Sequence, residues 1–441
     1  MPTDLKDLHL ADLHERAAAA GIDGYRRLRR EELIERLGDA DDAQGDADEA
    51  QGADDADDDD VEVEIEATVL DPEADEPVEL GPEGPEGGDE RGEDEATHDV
   101  RGVLELTRQR YGFLRLSGLA PADGDVYVSA AQVRRCELRP GDEVAGPARD
   151  PRRGERHPAL VHVDTVNGED PTEEVRVAFD EFSPVLPERR ISLDAAGDVL
   201  ARAVDLLAPL AFGHRVLVRA APRSGRTTLL RSLARAAVTE ETARVIVLLV
   251  DERPEEATAW REAVPVAEFA IATAELAPVE QVRTAELALE RARRLAEAGI
   301  DAVLVCDSLT RLAHAAGDVN EAKRLFGSGR KLSGGGSLTV IATTVDGLDG
   351  DEGPDAHRAV ITTESALVVL DPELAAAGVT PSINARECRV SNEDQLREPA
   401  ELEAVRRLRA QLADLDAFEA ANLLRDRIEA TPNNAELLSS L

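Results

Sequence analysis

Residues 216–228 read Val-Leu-Val-Arg-Ala-Ala-Pro-Arg-Ser-Gly-Arg-Thr-Thr, an apolar run followed by a turn and two hydroxyl side chains. A phosphate-binding loop needs a strand, a glycine-rich turn before a helix, a cation, and a Ser or Thr hydroxyl for magnesium. Gly225 and Thr227 stand where such a loop requires them, whereas Arg226 occupies the usual lysine position and Ala220 replaces the leading glycine. An ordinary turn between a strand and a helix is the alternative for this stretch on its own.

Three more apolar runs follow downstream. They are Val245–Val250, Ala302–Cys306 and Leu338–Ala342, and a helical pattern over 279–298 lies between the first and the second. Continuous β-branched runs that alternate with helices are typical of a parallel sheet covered by helices on both faces. The pattern therefore predicts one α/β domain, over residues 171–398.

Acidic residues stand directly after two of these runs, where Glu252 and Asp307 close predicted strands. Ligands of open α/β sheets bind at the carboxyl ends of the strands. A phosphate loop followed by these two acids is an ATPase pattern, in which Glu252 would polarise the attacking water and Thr227 and Asp307 would position the metal. A solvated strand end is the alternative for either acid alone. We therefore expect a RecA-like P-loop ATPase domain with ATP and Mg²⁺ as cofactors.

Residues 100–170 have a different pattern, of short strands separated by Gly, Pro and Asp turns. About five strands in so short a stretch favour a small all-β barrel of the OB or cold-shock type. Residues 101–160 contain 11 arginines and eight carboxylates, an excess of positive charge within a chain whose net charge is −42. The strand patterns are 103–106, 112–116, 125–128, 143–144 and 161–166.

Aromatic residues gather in this barrel although they make up only 2% of the chain. Tyr111 and Phe113 fall on one strand face, and Tyr127 and Arg115 are expected nearby. Single-stranded bases stack on aromatic faces beside arginines that follow the phosphates. The pattern predicts RNA binding, and the alternative is that the rings fill the barrel core.

The acidity of the chain is concentrated in one tract. Residues 39–99 hold 28 Asp or Glu and a single basic residue, Arg91, which predicts a disordered acidic linker. This linker would be a solvated spacer or, alternatively, a competitor of RNA for the basic barrel. Leucine spacing predicts a small helical cap over 1–38, and a Leu- and Arg-rich pattern predicts a helical tail over 399–441.

Targeting and redox signals point to the cytoplasm. The chain has no run of about 18 apolar residues and opens without an apolar stretch. Its three cysteines, Cys136, Cys306 and Cys388, are far apart and form no CxxC pair. We expect a reduced, cytoplasmic protein without a disulfide framework or a zinc site.

Outside the acidic tract, most of the chain resembles the bacterial transcription termination factor Rho family. The resemblance implies a homohexameric RNA-dependent ATPase and helicase that binds nascent single-stranded RNA and acts on the RNA polymerase elongation complex. The matching stretches are Tyr111–Arg115, Asp125–Ser129, Gly154–Arg156, Asp251–Glu256, Asp307–Arg311 and Gly335–Thr343.

The resemblance also implies roles for individual residues. RNA-binding positions are Tyr111, Phe113, Arg115, Asp125, Tyr127, Glu155 and Arg156. ATP-binding positions are Gly213, His214, Arg215, Arg223, Ser224, Gly225, Arg226, Thr227, Thr228, Arg253 and Arg311, the last as a sensor of the nucleotide state. Catalytic positions are Glu252, Arg226 and Arg389, the last as a candidate inter-subunit arginine.

Several departures from the family pattern bear on translocation. Arginine stands at both phosphate-loop lysine positions, 223 and 226, and Thr380 stands where the family commonly has an aromatic residue against adenine. The family's long pore loop is reduced to residues 315–322, and the second pore loop is replaced by the acidic stretch 346–352. Acidic side chains repel a phosphate chain.

Two main hypotheses follow. The first is a divergent Rho-type enzyme that binds nascent RNA, hydrolyses ATP and terminates transcription. The second is a Rho-like paralogue that binds RNA and nucleotide without translocation. A third, a RecA-like ATPase unrelated to RNA, is disfavoured by the barrel with Tyr111 and Phe113.

Overall fold

The computed structural model describes residues 97–171, 176–347 and 355–441. The predicted cap over 1–38 and residues 39–96 of the predicted linker lie outside these ranges. The first described strand begins at Thr97, so the last three residues of the predicted linker, 97–99, are strand.

The first described domain is a closed five-stranded barrel. Its strands follow the order β1-β2-β3-β5-β4, and β4 pairs back onto β1 in antiparallel register. Inward side chains such as Leu104, Leu114 and Val126 are fully buried. The elements are β1 Thr97–Leu106, β2 Gly112–Arg115, β3 Val126–Val128, α1 Ala130–Arg135, β4 Glu143–Arg149, β5 Ala159–Leu160 and β6 Thr165–Val166, which pairs with the same edge of β4 as β5 does.

The second domain is built on one large, mostly parallel sheet. Its order is β10-β9-β11-β13-β8-β14-β15, with every neighbouring pair parallel except β14 with β15. The predicted α/β class is confirmed. The strands are β7 Pro184–Val185, β8 Arg215–Ala220, β9 Ala243–Glu252, β10 Glu268–Thr273, β11 Asp301–Asp307, β12 Arg330–Leu332, β13 Ser337–Val345, β14 Ala366–Val369 and β15 Arg389–Val390.

Helices cover both faces of this sheet and form two apolar cores. One face is packed by α2 Val199–Leu207, α3 Arg226–Ala237 and α4 Pro254–Ala263. The other is packed by α5 Pro278–Glu297, α6 Leu309–Ala316, α7 Asn320–Gly327 and α8 Ala356–Val360. Two short helices, α9 Pro372–Ala376 and α10 Glu393–Leu396, follow.

Local sequence accounts for several helix ends. Pro254 and Pro278 occupy the first positions of α4 and α5, where the missing N–H of proline costs nothing. Asp198 accepts a hydrogen bond from the Leu200 N–H at the start of α2, and Gly317 ends α6 in the left-handed conformation.

Three helices form the C-terminal tail: α11 Pro399–Ala413, α12 Ala417–Glu429 and α13 Asn434–Ser439. They pack against α2, whose buried Arg202 donates hydrogen bonds of 2.7 Å to the carbonyls of Ile428 and Thr431. The tail therefore extends the core on the α2 face of the sheet. Within the described residues, no helix is long and apolar enough to cross a membrane.

The barrel is fixed to the sheet domain along α5. Arg139 pairs with Glu297 at 2.7 Å, and Arg291 pairs with Glu143 at 2.9 Å. Gly141, at φ 82°, lies so close to α5 that a Cβ there would approach the Glu290 backbone carbon to 2.4 Å. Only glycine fits this contact.

Candidate functional site

The stretch after β8 forms a loop that leads directly into a helix. Gly225 adopts φ 88° and precedes α3, which begins at Arg226. Two hydrogen bonds hold the loop in place. The Ser382 hydroxyl donates to the Ser224 carbonyl at 2.7 Å, and the Ser224 hydroxyl donates to the Ala221 carbonyl at 2.7 Å. The free N–H groups at the start of α3 give this loop the positive end of a helix dipole.

The two predicted acids lie beside this loop. Glu252 ends β9 and Asp307 ends β11, and because these strands are parallel neighbours, their carboxyl ends meet at one sheet edge. The Thr227 hydroxyl lies 3.5 Å from Asp307 Oδ2, and the Thr343 hydroxyl donates to Asp307 Oδ1 at 3.1 Å. The structure thus brings Thr227, Glu252 and Asp307 together as the sequence pattern requires.

Two arginines neutralise this acidic pair. Arg226 Nη2 lies 3.2 Å from Glu252 Oε1, and its Nε lies 3.0 Å from Asp307 Oδ1. Arg311 also pairs with Glu252. Burial and the neighbouring Asp307 charge raise the pKa of Glu252, while the two arginines act in the opposite direction. A carboxylate with a raised pKa and a named charge partner is typical of functional sites.

A cavity of about 490 Å³ opens over the loop. This volume lies in the range of small-molecule and cofactor sites. Four of its lining side chains are arginines, which suits a polyanionic ligand. The lining residues include Ala221, Pro222, Arg223, Gly225, Arg226, Thr227, Thr228, Arg253, Arg311 and Val345; Ser224 is buried beneath them.

A magnesium ion is implied by this kind of site, and Thr227 and Asp307 are the residues that would hold it. The arrangement observed does not fit the ion, because the Arg226 guanidinium lies against the same carboxylate. Asp307 Oδ1 already faces Arg226 and Thr343, and Oδ2 faces Thr227.

Three predicted ATP-binding residues lie elsewhere. Gly213, His214 and Arg215 stand at the amino end of β8, about 20 Å of strand away from the loop. Gly213 N–H donates to the Thr339 hydroxyl at 2.8 Å, His214 is fully buried, and Arg215 Nε donates to the Thr363 carbonyl at 2.5 Å. Strand direction separates them from the cavity, so the predicted contact with the same nucleotide is not supported within one chain.

Arg389 is also remote from the loop. It lies on β15 opposite Leu367, at the amino half of β14, and pairs with Glu364 at 2.5 Å. A role at a neighbouring subunit's site stays a prediction. Thr380, in contrast, is exposed two residues before Ser382, which touches the phosphate loop.

The segments that correspond to the family's pore loops are short or acidic. Only residues 317–319 join α6 to α7. Asp346 pairs with Arg219 at 2.9 Å, while residues 348–354 lie outside the described ranges. Neither described segment presents a long basic loop.

The barrel carries a cluster of rings outside its apolar core. Tyr111 lies 5.9 Å from Phe113 and 5.6 Å from Tyr127 between ring centroids, and Phe113 and Tyr127 are 6.1 Å apart. All three are partly exposed, whereas the core is filled by aliphatic side chains such as Leu114. Burial raises the pKa of Tyr127, so this hydroxyl stays protonated and neutral at physiological pH.

A fourth ring, that of His157, was not predicted from the sequence to lie at this site. His157 lies 5.0 Å from Phe113, at an interplanar angle of 62°. The available signal was its position directly after Glu155 and Arg156. We call Tyr111, Phe113, Tyr127 and His157 the ring cluster.

The charged residues predicted to bind RNA divide into buried and exposed ones. Arg115 is buried and pairs with Asp125 and Glu105, so these groups hold the strands beneath the ring cluster. Glu155 receives two hydrogen bonds from Arg149, at 2.6 and 2.7 Å, and these lower its pKa to about 2. Arg156 is exposed and free to meet phosphates.

The fold and the two sites define a RecA-like P-loop protein that carries an oligonucleotide-binding barrel. Family models match in three places: "Rho termination factor, N-terminal domain" at residues 4–40, "Rho termination factor, RNA-binding domain" at 100–172, and "ATP synthase alpha/beta family, nucleotide-binding domain" at 201–328. The chain belongs to the transcription termination factor Rho family.

Curated relatives named transcription termination factor Rho support this membership. The protein of Bacillus subtilis is 34% identical over 363 residues, which cover 78% of this chain and 84% of the relative. That of Chromobacterium violaceum is 31% identical over 465 residues, which cover 100% and 99% of the two chains. A solved type III secretion ATPase from pathogenic bacteria shares the fold, with a TM-score of 0.50, 20% identity and coverage of 65% and 94%.

Proposed function

We propose that this chain is an RNA-binding transcription termination factor that captures nascent single-stranded RNA on its barrel and binds ATP in the arginine-lined cavity. The ring cluster carries the proposal: partly exposed rings stand outside the aliphatic core, and the exposed Arg156 directly precedes His157 in the chain. Such rings accept stacked bases, and the arginine accepts phosphates. We further propose that the chain acts as a homohexamer on the elongation complex of RNA polymerase in the cytoplasm.

In the fuller form of this function, RNA-dependent ATP hydrolysis drives translocation and transcript release. Glu252 would polarise the attacking water, and the raised pKa that follows from its burial suits a proton acceptor. Arg226 would stabilise the charge that develops on the phosphates, a role that arginine fulfils in other phosphoryl transfers.

A second candidate function is a regulator that binds RNA and nucleotide without translocation. Two observations favour it. Arg226 already engages both Glu252 and Asp307, and only residues 317–319 stand where the family has a long pore loop.

ATP turnover of the full chain with and without poly(C) RNA separates the two candidates. Stimulation by RNA in the wild type supports the coupled enzyme. RNA binding without stimulated turnover supports the regulator, and recovery of turnover in Arg226→Lys would locate the lesion in the phosphate loop. A chain that binds no RNA refutes both candidates.

A further inference from the structure

The charge balance of the nucleotide site departs from that of a metal-dependent one. Glu252 and Asp307 contribute two negative charges, and Arg226 and Arg311 contribute two positive charges at contact distance. A divalent cation is attracted to such a site by uncompensated carboxylate charge. Here Arg226 and Arg311 already neutralise the carboxylate charge that would attract a cation.

The ligand atoms for a cation are also engaged. Asp307 is 1% exposed, and its two oxygens face Thr343, Arg226 and Thr227. Magnesium requires near-octahedral oxygen ligands and gives up its water reluctantly. A guanidinium 3.0 Å from Asp307 Oδ1 stands in the space that such a hydrated ion needs.

Arginine can hold the acids and still meet a phosphate. Its planar fork has five N–H donors, whereas the ammonium of lysine is a single charged point. Arg226 donates through Nη2 to Glu252, and its Nε lies 3.0 Å from Asp307 as an ion pair, so Nη1 remains for a ligand in the cavity that the same residue lines. The exposed Arg223 and Arg253 line that cavity as well and add positive charge independently of any ion.

We propose that this site binds a nucleoside polyphosphate without a divalent cation, with the Arg226 guanidinium in the place of the metal. The inference rests on the proposed nucleotide binding. It adds that arginine side chains, in place of a metal ion, neutralise the negative charge of the phosphates. Arg226 is thereby a residue that determines metal dependence as well as a phosphate contact.

Binding of a fluorescent N-methylanthraniloyl-ADP to the full chain, in excess Mg²⁺ and in EDTA, tests the proposal. For the wild type we expect dissociation constants that agree within about twofold, because Arg226 meets the charge in both buffers. For Arg226→Lys we expect binding about tenfold or more weaker in EDTA than in Mg²⁺, because the shorter ammonium releases Asp307 to a cation. Arg235→Lys, on the same helix but paired with Asp198, is the matched control and should behave as the wild type does.

Manganese provides a second readout that does not depend on turnover. Electron paramagnetic resonance should detect no Mn²⁺ held by the nucleotide-bound wild type, and bound Mn²⁺ in the Arg226→Lys complex. Wild-type affinity that falls tenfold or more in EDTA, or one Mn²⁺ held per bound nucleotide, overturns the inference but leaves nucleotide binding intact. If the wild type binds no nucleotide in either buffer, the ATP-binding part of the proposed function fails as well.

Discussion

Replacing Phe113 with alanine tests the ring cluster as an RNA platform. Base–aromatic stacking contributes about 1–3 kcal/mol per base. Phe113 contacts Tyr111, Tyr127 and His157 at centroid distances of 5.9, 6.1 and 5.0 Å, so its loss removes one stacking face and the support of three neighbours. We therefore expect the upper part of this range, ~2–3 kcal/mol, which corresponds to RNA binding about 30- to 150-fold weaker.

Fluorescence anisotropy with a labelled oligo(C), at several fixed salt concentrations, measures this effect. Because the ring is uncharged, the slope of log affinity against log salt should not change. Phe418→Ala, which removes an exposed ring from α12, is the matched control and should bind RNA as the wild type does. An affinity of Phe113→Ala within twofold of the wild type, in a folded barrel, would refute the platform.

Three further predictions test other parts of the molecule. Arg156→Ala should weaken RNA binding and reduce the salt slope by about 1, as removal of one phosphate contact does; an unchanged slope would place Arg156 away from the RNA. Leu114→Ala should lower the free energy of unfolding by about 2–5 kcal/mol in urea titrations, since Leu114 is fully buried in the barrel core; a loss well below this would mean that the barrel repacks. Burial lowers the pKa of His214 from 6.5 to about 4, so the unfolded chain binds the proton more tightly and stability falls as the pH drops from about 6.5 toward 4. Between pH 7 and pH 5 this loss should reach about 2 kcal/mol in the wild type and be smaller in His214→Gln, and equal losses in the two proteins would exclude His214 as the cause.

The α/β architecture was predictable because its strands are continuous apolar runs. Val245–Val250 and Ala302–Cys306 lie within β9 and β11, and the helix expected over 279–298 is observed at Pro278–Glu297. The meeting of Glu252 and Asp307 followed from the same reasoning, since parallel neighbours end at one edge. The hydrophobic pattern and the parallel direction of the strands were therefore enough to predict which residues meet at the site.

The contacts between individual side chains could not be predicted from the sequence. Arg115 was expected at the RNA, yet it is buried against Asp125 and Glu105, because nothing in its spacing reveals three-dimensional charge pairing. His157 reaches Phe113 from a loop 44 residues downstream of that ring. Gly213–Arg215 precede the loop closely along the chain, but a strand's length separates them in space. The contacts of Arg226 with Glu252 and Asp307 depend on the side-chain rotamer of the arginine, which the sequence does not reveal.

The contact between barrel and α5 has a mechanical consequence. Glu297, which pairs with Arg139, ends α5 only four residues before β11 begins at Asp301, and this strand runs about 20 Å to Asp307. A force applied to an RNA bound by the barrel would therefore pass through the Arg139–Glu297 contact and along β11, a central strand of the sheet. It would reach the Asp307 carboxylate, which contacts Arg226.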